Sequence, residues 1–117
     1  MTTAELHQIT KQFNGPLYVY DAAIIKAQYE RLTNAFQGVN QLRIHYATKA
    51  LNNISILKYI QSLGAGLDTV SIQEVKLGLK AGFEHGKLFL HPTEFLYHKL
   101  KKLPSLEYKS ILTISPF

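Results

Sequence analysis

Hydrophobic residues along this chain form two kinds of pattern: short continuous runs typical of strands, and longer stretches with a spacing of three or four typical of amphipathic helices. The opening residues show the second kind, because apolar side chains recur at Leu6, Ile9 and Phe13. Thr2 and Glu5 have the spacing of a capping box. The pattern therefore predicts an N-terminal helix that ends at the Gly-Pro pair following it.

A β-type run and a second helical pattern come next. Residues 17–20 (LYVY) predict a short strand. Asp21 can then cap a helix from Ala22 to about Phe36, which Gly38 would end. Residues 1–41 are therefore expected to form a helix, a strand and a helix that lead into the rest of the chain.

From residue 42 the two patterns alternate regularly. Strands are predicted over residues 42–47, 65–70 and 87–90. The helix between the first two begins at an asparagine cap, and the next begins at a second capping box formed by Ser71 and Glu74. This spacing is typical of consecutive β/α units, whose strands are parallel and whose crossovers are right-handed.

A parallel sheet must be covered by helices on both faces or closed into a barrel. Three strands cannot close a barrel, and a complete (β/α)₈ barrel takes about 250 residues. The expected fold class is therefore α/β, with residues 42–90 forming the first part of a larger parallel sheet or barrel.

Composition removes several classes of function. The chain has no cysteine, which excludes disulfides and thiolate chemistry. No stretch approaches about 18 uninterrupted apolar residues, so no membrane helix is expected. The net charge of +5 is spread along the chain, which favours surface lysines over a nucleic-acid site. His7, His85 and His98 lack the spacing of metal ligands. We expect a soluble, cytoplasmic protein that binds no metal, nucleic acid or membrane.

One segment carries residues suited to chemistry, HYATKALNN at 45–53. Lys49 lies just beyond the carboxyl end of the first repeated strand, and in β/α barrels this end holds the catalytic groups. Small or apolar neighbours could desolvate the lysine, lower its pKa and free an amine to attack a carbonyl. By position alone, an ordinary solvent-exposed loop lysine is the commoner outcome.

Residues 45–53 and the block GAGLDTVS at 64–71 together resemble the fold-type III pyridoxal-phosphate-dependent amino-acid decarboxylases, the family of ornithine, diaminopimelate and arginine decarboxylation. The resemblance extends over residues 16–92 and departs from the family at Leu51, where asparagine is usual. It is strongest to the members that convert diaminopimelate to lysine. Ornithine, arginine and carboxynorspermidine members are alternatives, and a non-catalytic binding module is an alternative of another class.

The resemblance implies pyridoxal 5'-phosphate as cofactor, a small amino-acid substrate and a homodimer. It also implies that residues 42–92 form the first three strands of an incomplete, pyridoxal-binding (β/α)₈ barrel. It implies that Lys49 holds the cofactor as an internal Schiff base and that Asp68 stabilises the protonated imine or orients the lysine. Ala47 is expected to contact the cofactor. A solvated loop carboxylate is the alternative for Asp68, and a helix cap is the favoured role of Ser71. His91 ends the third strand, at the level where such sites form.

Residues 93–117 depart from the family pattern. One permitted back-translation of them, read after restoring a single lost base, gives NGVSLSQIKEAAIVGIQINIDNLSI, which is the loop, helix and strand that the family has there. We therefore expect this segment to be an out-of-frame tail. The chain would then lack the phosphate-binding loops and the carboxylate for the pyridine nitrogen, and is predicted to be inactive and unstable alone.

Overall fold

The chain forms two units in the computed structural model, which describes residues 1–91. One unit is Met1–Ala35, and the second begins at Phe36. Pro92 and the predicted tail at 93–117 lie outside the described residues. Within the described part we find no helix with the length and hydrophobicity that a membrane span requires.

The first unit contains two helices, α1 (Thr3–Phe13) and α2 (Ala22–Ala35). The predicted capping box is confirmed: the Thr2 N–H donates to Glu5 Oε2 at 2.6 Å, and the Glu5 N–H donates to Thr2 Oγ1 at 3.3 Å. The cap on α2 is also confirmed, because Asp21 Oδ1 accepts a hydrogen bond from the backbone of the second helical residue at 2.9 Å. Both helices therefore begin where the sequence predicts.

The prediction of a strand over residues 17–20 is wrong. These residues are irregular in the structure and pair with no strand among residues 1–91. Tyr18 is almost fully exposed. A β-type run becomes a strand only where another strand satisfies its backbone groups, and the described chain offers this run no such partner.

The second unit is built on a three-stranded parallel sheet. Its strands lie in chain order and are β1 (His45–Ala47), β2 (Gly66–Thr69) and β3 (Leu88–Leu90). In the register, Ala47 is opposite Asp68, and Asp68 is opposite Phe89. The predicted β/α order is confirmed, although β1 begins at residue 45 and not at residue 42.

Two helices connect the strands, α3 (Ile54–Ser62) and α4 (Ile72–Ala81). Asn53 Oδ1 caps α3, and Gly82 ends α4 in the left-handed conformation with φ of 97°. Helix α4 packs on β2 and β3, and α3 packs on α4. The buried core lies between these layers and consists of Leu57, Ile60, Ala65, Leu67, Val75, Ala81, Phe83, Leu88 and Leu90.

Alternation along β2 divides its side chains between two faces. Leu67 and Thr69 are completely buried. Gly66 and Asp68 belong to the opposite face, where space is limited: a Cβ added to Gly66 would lie 2.5 Å from Cδ2 of His45 and 2.8 Å from the carbonyl oxygen of Lys87. Glycine at position 66 therefore lets the neighbouring strands approach closely.

We predict that Gly66→Ala destabilises the second unit by about 1–3 kcal/mol, because the new methyl group must displace an imidazole ring and a backbone carbonyl. Urea unfolding measures the change. Gly86→Ala is the control, since a Cβ there would meet nothing within 4 Å. Equal unfolding midpoints for the two variants would contradict the prediction.

The hydrogen bond from the Thr2 N–H lowers the pKa of Glu5 below its ordinary value. A lowered folded pKa means that the capping box stabilises α1 above the ordinary glutamate pKa and loses this contribution as the pH falls through the folded pKa. We predict that an NMR-monitored titration of the side-chain carboxyl groups gives Glu5 a pKa below that of a glutamate in an unstructured peptide.

Glu5→Gln is the control for this titration, because the amide oxygen still accepts the bond but does not titrate. The wild-type chain should lose more α1 helicity on acidification than the variant does. Parallel losses in the two proteins would refute the assignment.

Candidate functional site

The candidate site lies at the carboxyl edge of the sheet. Parallel strands end at the same edge, so the residues following β1, β2 and β3 come together there. Lys49 lies in a short 3₁₀ helix, Thr48–Ala50, directly after β1. Asp68 lies in β2 opposite Ala47. The structure thus brings the turn that carries Lys49 and the carboxylate of Asp68 to one edge, as the sequence predicts.

The turn that carries Lys49 is held on both sides by hydroxyl groups. Thr48 Oγ1 donates to the carbonyl oxygen of Asp68 at 2.8 Å, and Thr48 is buried. The Tyr46 hydroxyl donates to the carbonyl oxygen of Leu51 at 3.2 Å. Leu51 departs from the family pattern, but its backbone still accepts this bond. The conformation around Lys49 is therefore fixed by the strand before it and by the neighbouring strand.

Lys49 itself is exposed. Residues 1–91 therefore do not desolvate its side chain, and the exposed loop lysine, the commoner outcome by position, is the one observed. The physical reason is the position of β1, which is an edge strand of the described sheet and has only β2 beside it. An exposed amine is accessible to an aldehyde, but it lacks the apolar surroundings that would lower its pKa.

Asp68 combines partial burial with an unused acceptor. Its side chain is 27% exposed, yet Oδ1 is buried and has no hydrogen-bond donor among the described residues. His91 Nε2 lies 3.2 Å from this oxygen, close enough for an ion pair when the imidazole is protonated. The contact is not a hydrogen bond, since Oδ1 has no hydrogen-bond partner among residues 1–91.

His91 belongs to this edge of the sheet. Its N–H donates to the carbonyl oxygen of Thr69 at 2.9 Å, which continues the β2–β3 ladder by one residue. Its ring meets Phe89 edge to face, with centroids 4.8 Å apart. The strand pattern predicts His91 at the end of β3, but only the register of β3 against β2 reveals its proximity to Asp68.

The residues present fit a carbonyl-containing cofactor. The amine of Lys49 can bond covalently to an aldehyde, and the unsatisfied Oδ1 of Asp68 can accept a hydrogen bond or face a positive charge. Ala47 is half-buried beside Asp68, and its small side chain leaves space at this position. Among residues 1–91, no group of three or more histidine, aspartate or glutamate side chains could hold a metal ion.

Ser71 and Glu74 form the start of α4. Ser71 Oγ accepts a hydrogen bond from the Glu74 N–H at 3.2 Å, and Glu74 Oε2 accepts one from the Val70 N–H at 2.7 Å. The predicted cap is confirmed. Both side chains are engaged with the backbone of the helix start, so their observed role is structural.

A parallel sheet whose strands alternate with helices, and whose candidate residues lie at the carboxyl edge, is an α/β unit of the kind found in β/α barrels. The sequence profile of the pyridoxal-binding domain of pyridoxal-dependent decarboxylases matches residues 22–109. The chain belongs to this decarboxylase family.

Proteins of similar sequence belong to the same family. Diaminopimelate decarboxylase of Campylobacter jejuni is 37% identical over 101 residues, which cover 86% of this chain and 24% of that protein. The Helicobacter pylori enzyme is 40% identical over 81 residues, covering 69% of this chain and 20% of that protein. The chain thus spans a quarter or less of the length of these relatives.

Solved structures of the family share the fold. The crystal structure of Helicobacter pylori diaminopimelate decarboxylase complexed with L-lysine has a TM-score of 0.70 at 31% identity, covering 92% of this chain and 30% of that one. Lysine/ornithine decarboxylase complexed with putrescine from Vibrio vulnificus has a TM-score of 0.68 at 29% identity, covering 80% and 26%. The expected fold class, a partial barrel of this α/β type, is confirmed.

We predict that Ser71→Ala lowers the free energy of unfolding of the second unit by about 1 kcal/mol, because α4 loses its N-cap acceptor. Ser71→Asp should stay close to the wild type, since its carboxylate can accept the same hydrogen bond. Urea unfolding of the three proteins measures the difference. If Ser71→Ala unfolds at the wild-type midpoint, the cap contributes nothing to stability.

Proposed function

We propose that this chain carries the coenzyme-anchoring segment of a pyridoxal-phosphate-dependent decarboxylase that converts meso-diaminopimelate to L-lysine. The observation that carries the proposal is the joint position of the Lys49 turn and Asp68, whose strands are in register and whose backbones are linked through Thr48. Family membership supports the cofactor, and the named relatives support the substrate.

Lys49 is proposed as the covalent anchor. Its exposed amine would hold the cofactor through the aldehyde group, with which a primary amine can condense. Pyridoxal phosphate, when bound, supplies the electron sink that makes loss of a carboxylate possible. The chain itself contributes the amine and the turn that holds it, and the fixed turn determines where the amine can meet the aldehyde.

Asp68 is proposed as the electrostatic partner of that nitrogen. Its buried Oδ1 has no hydrogen-bond donor among residues 1–91 and lies 3.2 Å from His91 Nε2, so a positively charged or N–H-bearing group at the site would share this oxygen with the imidazole. Ala47, opposite Asp68 in the register, is proposed to border the cofactor with a side chain too small to obstruct it.

The substrate assignment depends on the relatives. Diaminopimelate and lysine share an α-amino carboxylate and a distal amine, and the Helicobacter pylori structure contains L-lysine. The Vibrio vulnificus protein, a lysine/ornithine decarboxylase with bound putrescine, makes ornithine or lysine decarboxylation the second candidate. For the whole protein we propose a homodimer in the cytoplasm, with a free amino acid as its substrate.

We expect no CO₂ release from the 117-residue chain alone, so covalent labelling is the first test. Incubation with pyridoxal phosphate should produce a yellow C=N chromophore, and borohydride should fix it on Lys49, as peptide mass mapping can establish. Lys49→Arg should lose this label, because a guanidinium does not form the bond. Lys58→Arg, an exposed change on α3, is the matched control and should keep it.

Two results would overturn the proposal. One is equal labelling of Lys49 and the other exposed lysines, which would make the reaction nonspecific. The other is salt-sensitive retention on nucleic acid without selective labelling, which would favour a binding module. Release of the label by meso-diaminopimelate before borohydride, but not by ornithine at equal concentration, would support the substrate assignment.

A further inference from the structure

We propose that Thr48 is a positioning residue for Lys49, an inference that rests on the proposed role of Lys49 as the cofactor anchor. Thr48 immediately precedes the lysine in the 3₁₀ helix. Its hydroxyl donates a 2.8 Å hydrogen bond to the backbone carbonyl of Asp68. One buried side chain therefore joins the turn of the proposed anchor to the residue proposed to face its nitrogen.

Of the two side-chain hydrogen bonds described at the turn, the one from Thr48 reaches β2, whereas the one from the Tyr46 hydroxyl ends on Leu51, directly after the turn. Ala47, the residue that starts the 3₁₀ helix, supplies no side-chain cap. A 3₁₀ helix of three residues has little stability of its own, because its hydrogen bonds are few and poorly aligned. Thr48 is 1% exposed, so water cannot substitute for the bond to Asp68. The Thr48 hydroxyl consequently fixes the backbone of Lys49 relative to β2.

Such fixation affects the reactivity of a covalent anchor. An amine held close to its productive position reacts faster than one on a loosened turn, because less freedom is lost on reaching the transition state. The bond also ends on the backbone of Asp68, so a shift of the turn changes the separation of Lys49 from the carboxylate. Thr48 acts through both residues without itself touching the reacting atoms.

The chain provides a matched comparison at Thr69. Its hydroxyl donates to the carbonyl oxygen of Phe89 at 2.9 Å, and the residue is 0% exposed. In both cases a buried threonine bonds the carbonyl of a residue 20 positions later, across to the next strand. Thr69, however, joins β2 to β3 and does not hold the turn of Lys49. Removing either hydroxyl costs the fold one similar bond.

The experiment compares Thr48→Val, Thr48→Ser and Thr69→Val in the 117-residue chain. Each protein is treated with pyridoxal phosphate for a short time and reduced with borohydride. Mass mapping then gives the labelling rate of Lys49 relative to Lys58 and Lys80 of the same molecule. Urea unfolding of each variant identifies any loss of folding, and wild-type chain labelled in urea provides the unfolded baseline.

We expect Thr48→Val to lower the relative labelling rate of Lys49 by about five-fold, the effect of one lost neutral hydrogen bond. Thr48→Ser retains the hydroxyl and should restore most of the rate. Thr69→Val should label Lys49 like the wild type while unfolding at a urea concentration similar to that of Thr48→Val. This combination separates positioning from a general loss of stability.

Equal relative labelling in Thr48→Val and Thr69→Val, whether both high or both low, would overturn the inference. Failure of Thr48→Ser to recover would do the same, because the hydroxyl would then not be the active feature. If the wild-type chain shows no preference for Lys49, the proposed function fails first and the positioning role fails with it. The two failures are thus distinguished by the wild-type control.

Discussion

The parallel pairing of β1 with β2 determines the geometry of the whole candidate site. It places Ala47 opposite Asp68, so the turn that follows β1 begins at the level of the carboxylate on β2. A slip of one residue would turn Asp68 to the face that holds Leu67 and Thr69, where a carboxylate would be buried in an apolar core. Burial of Leu67 therefore secures the position of the acid as well as the stability of the sheet.

The two faces of the sheet are specialised by residue size as well as by polarity. On the helix-covered face, Gly78 of α4 allows the helix to approach Leu67 and Leu88 closely. On the opposite face, Gly66 accommodates the ring of His45, which in turn lies edge-on to Phe89. The absence of a side chain at Gly66 thus leaves room for the ring of His45 on β1, which reaches Phe89 on β3, whereas its absence at Gly78 lets α4 lie close to the sheet.

Local signals in the sequence predicted the helix starts accurately. Thr2, Asp21, Asn53 and Ser71 all cap helices, since capping depends on a side chain and a backbone two or three residues away. The β/α order was predictable for a similar reason, because each strand pairs with the next one in the chain. The error at residues 17–20 arose because strand formation requires a distant partner, which no local pattern can supply.

Prediction of the site was limited in the same way, because local patterns indicate single residues but not which strands are neighbours. The family motifs predict Lys49, Asp68 and Ala47 as candidate site residues. The register of β1 and β2 puts Ala47 beside Asp68. The exposure of Lys49 and the approach of His91 to Asp68 depend on which strands are neighbours, information absent from spacing. Thr48 was missed because a threonine between alanine and lysine carries no local signal of a bond across the sheet.

The strand order also has a consequence for the entropic cost of folding. Each strand pairs with the one made about 20 residues earlier, as the register of Ala47 with Asp68 and of Asp68 with Phe89 shows. Short loops of this size close quickly and at low entropic cost. The sheet can consequently assemble in chain order, since each pairing joins two segments that are already close along the polypeptide.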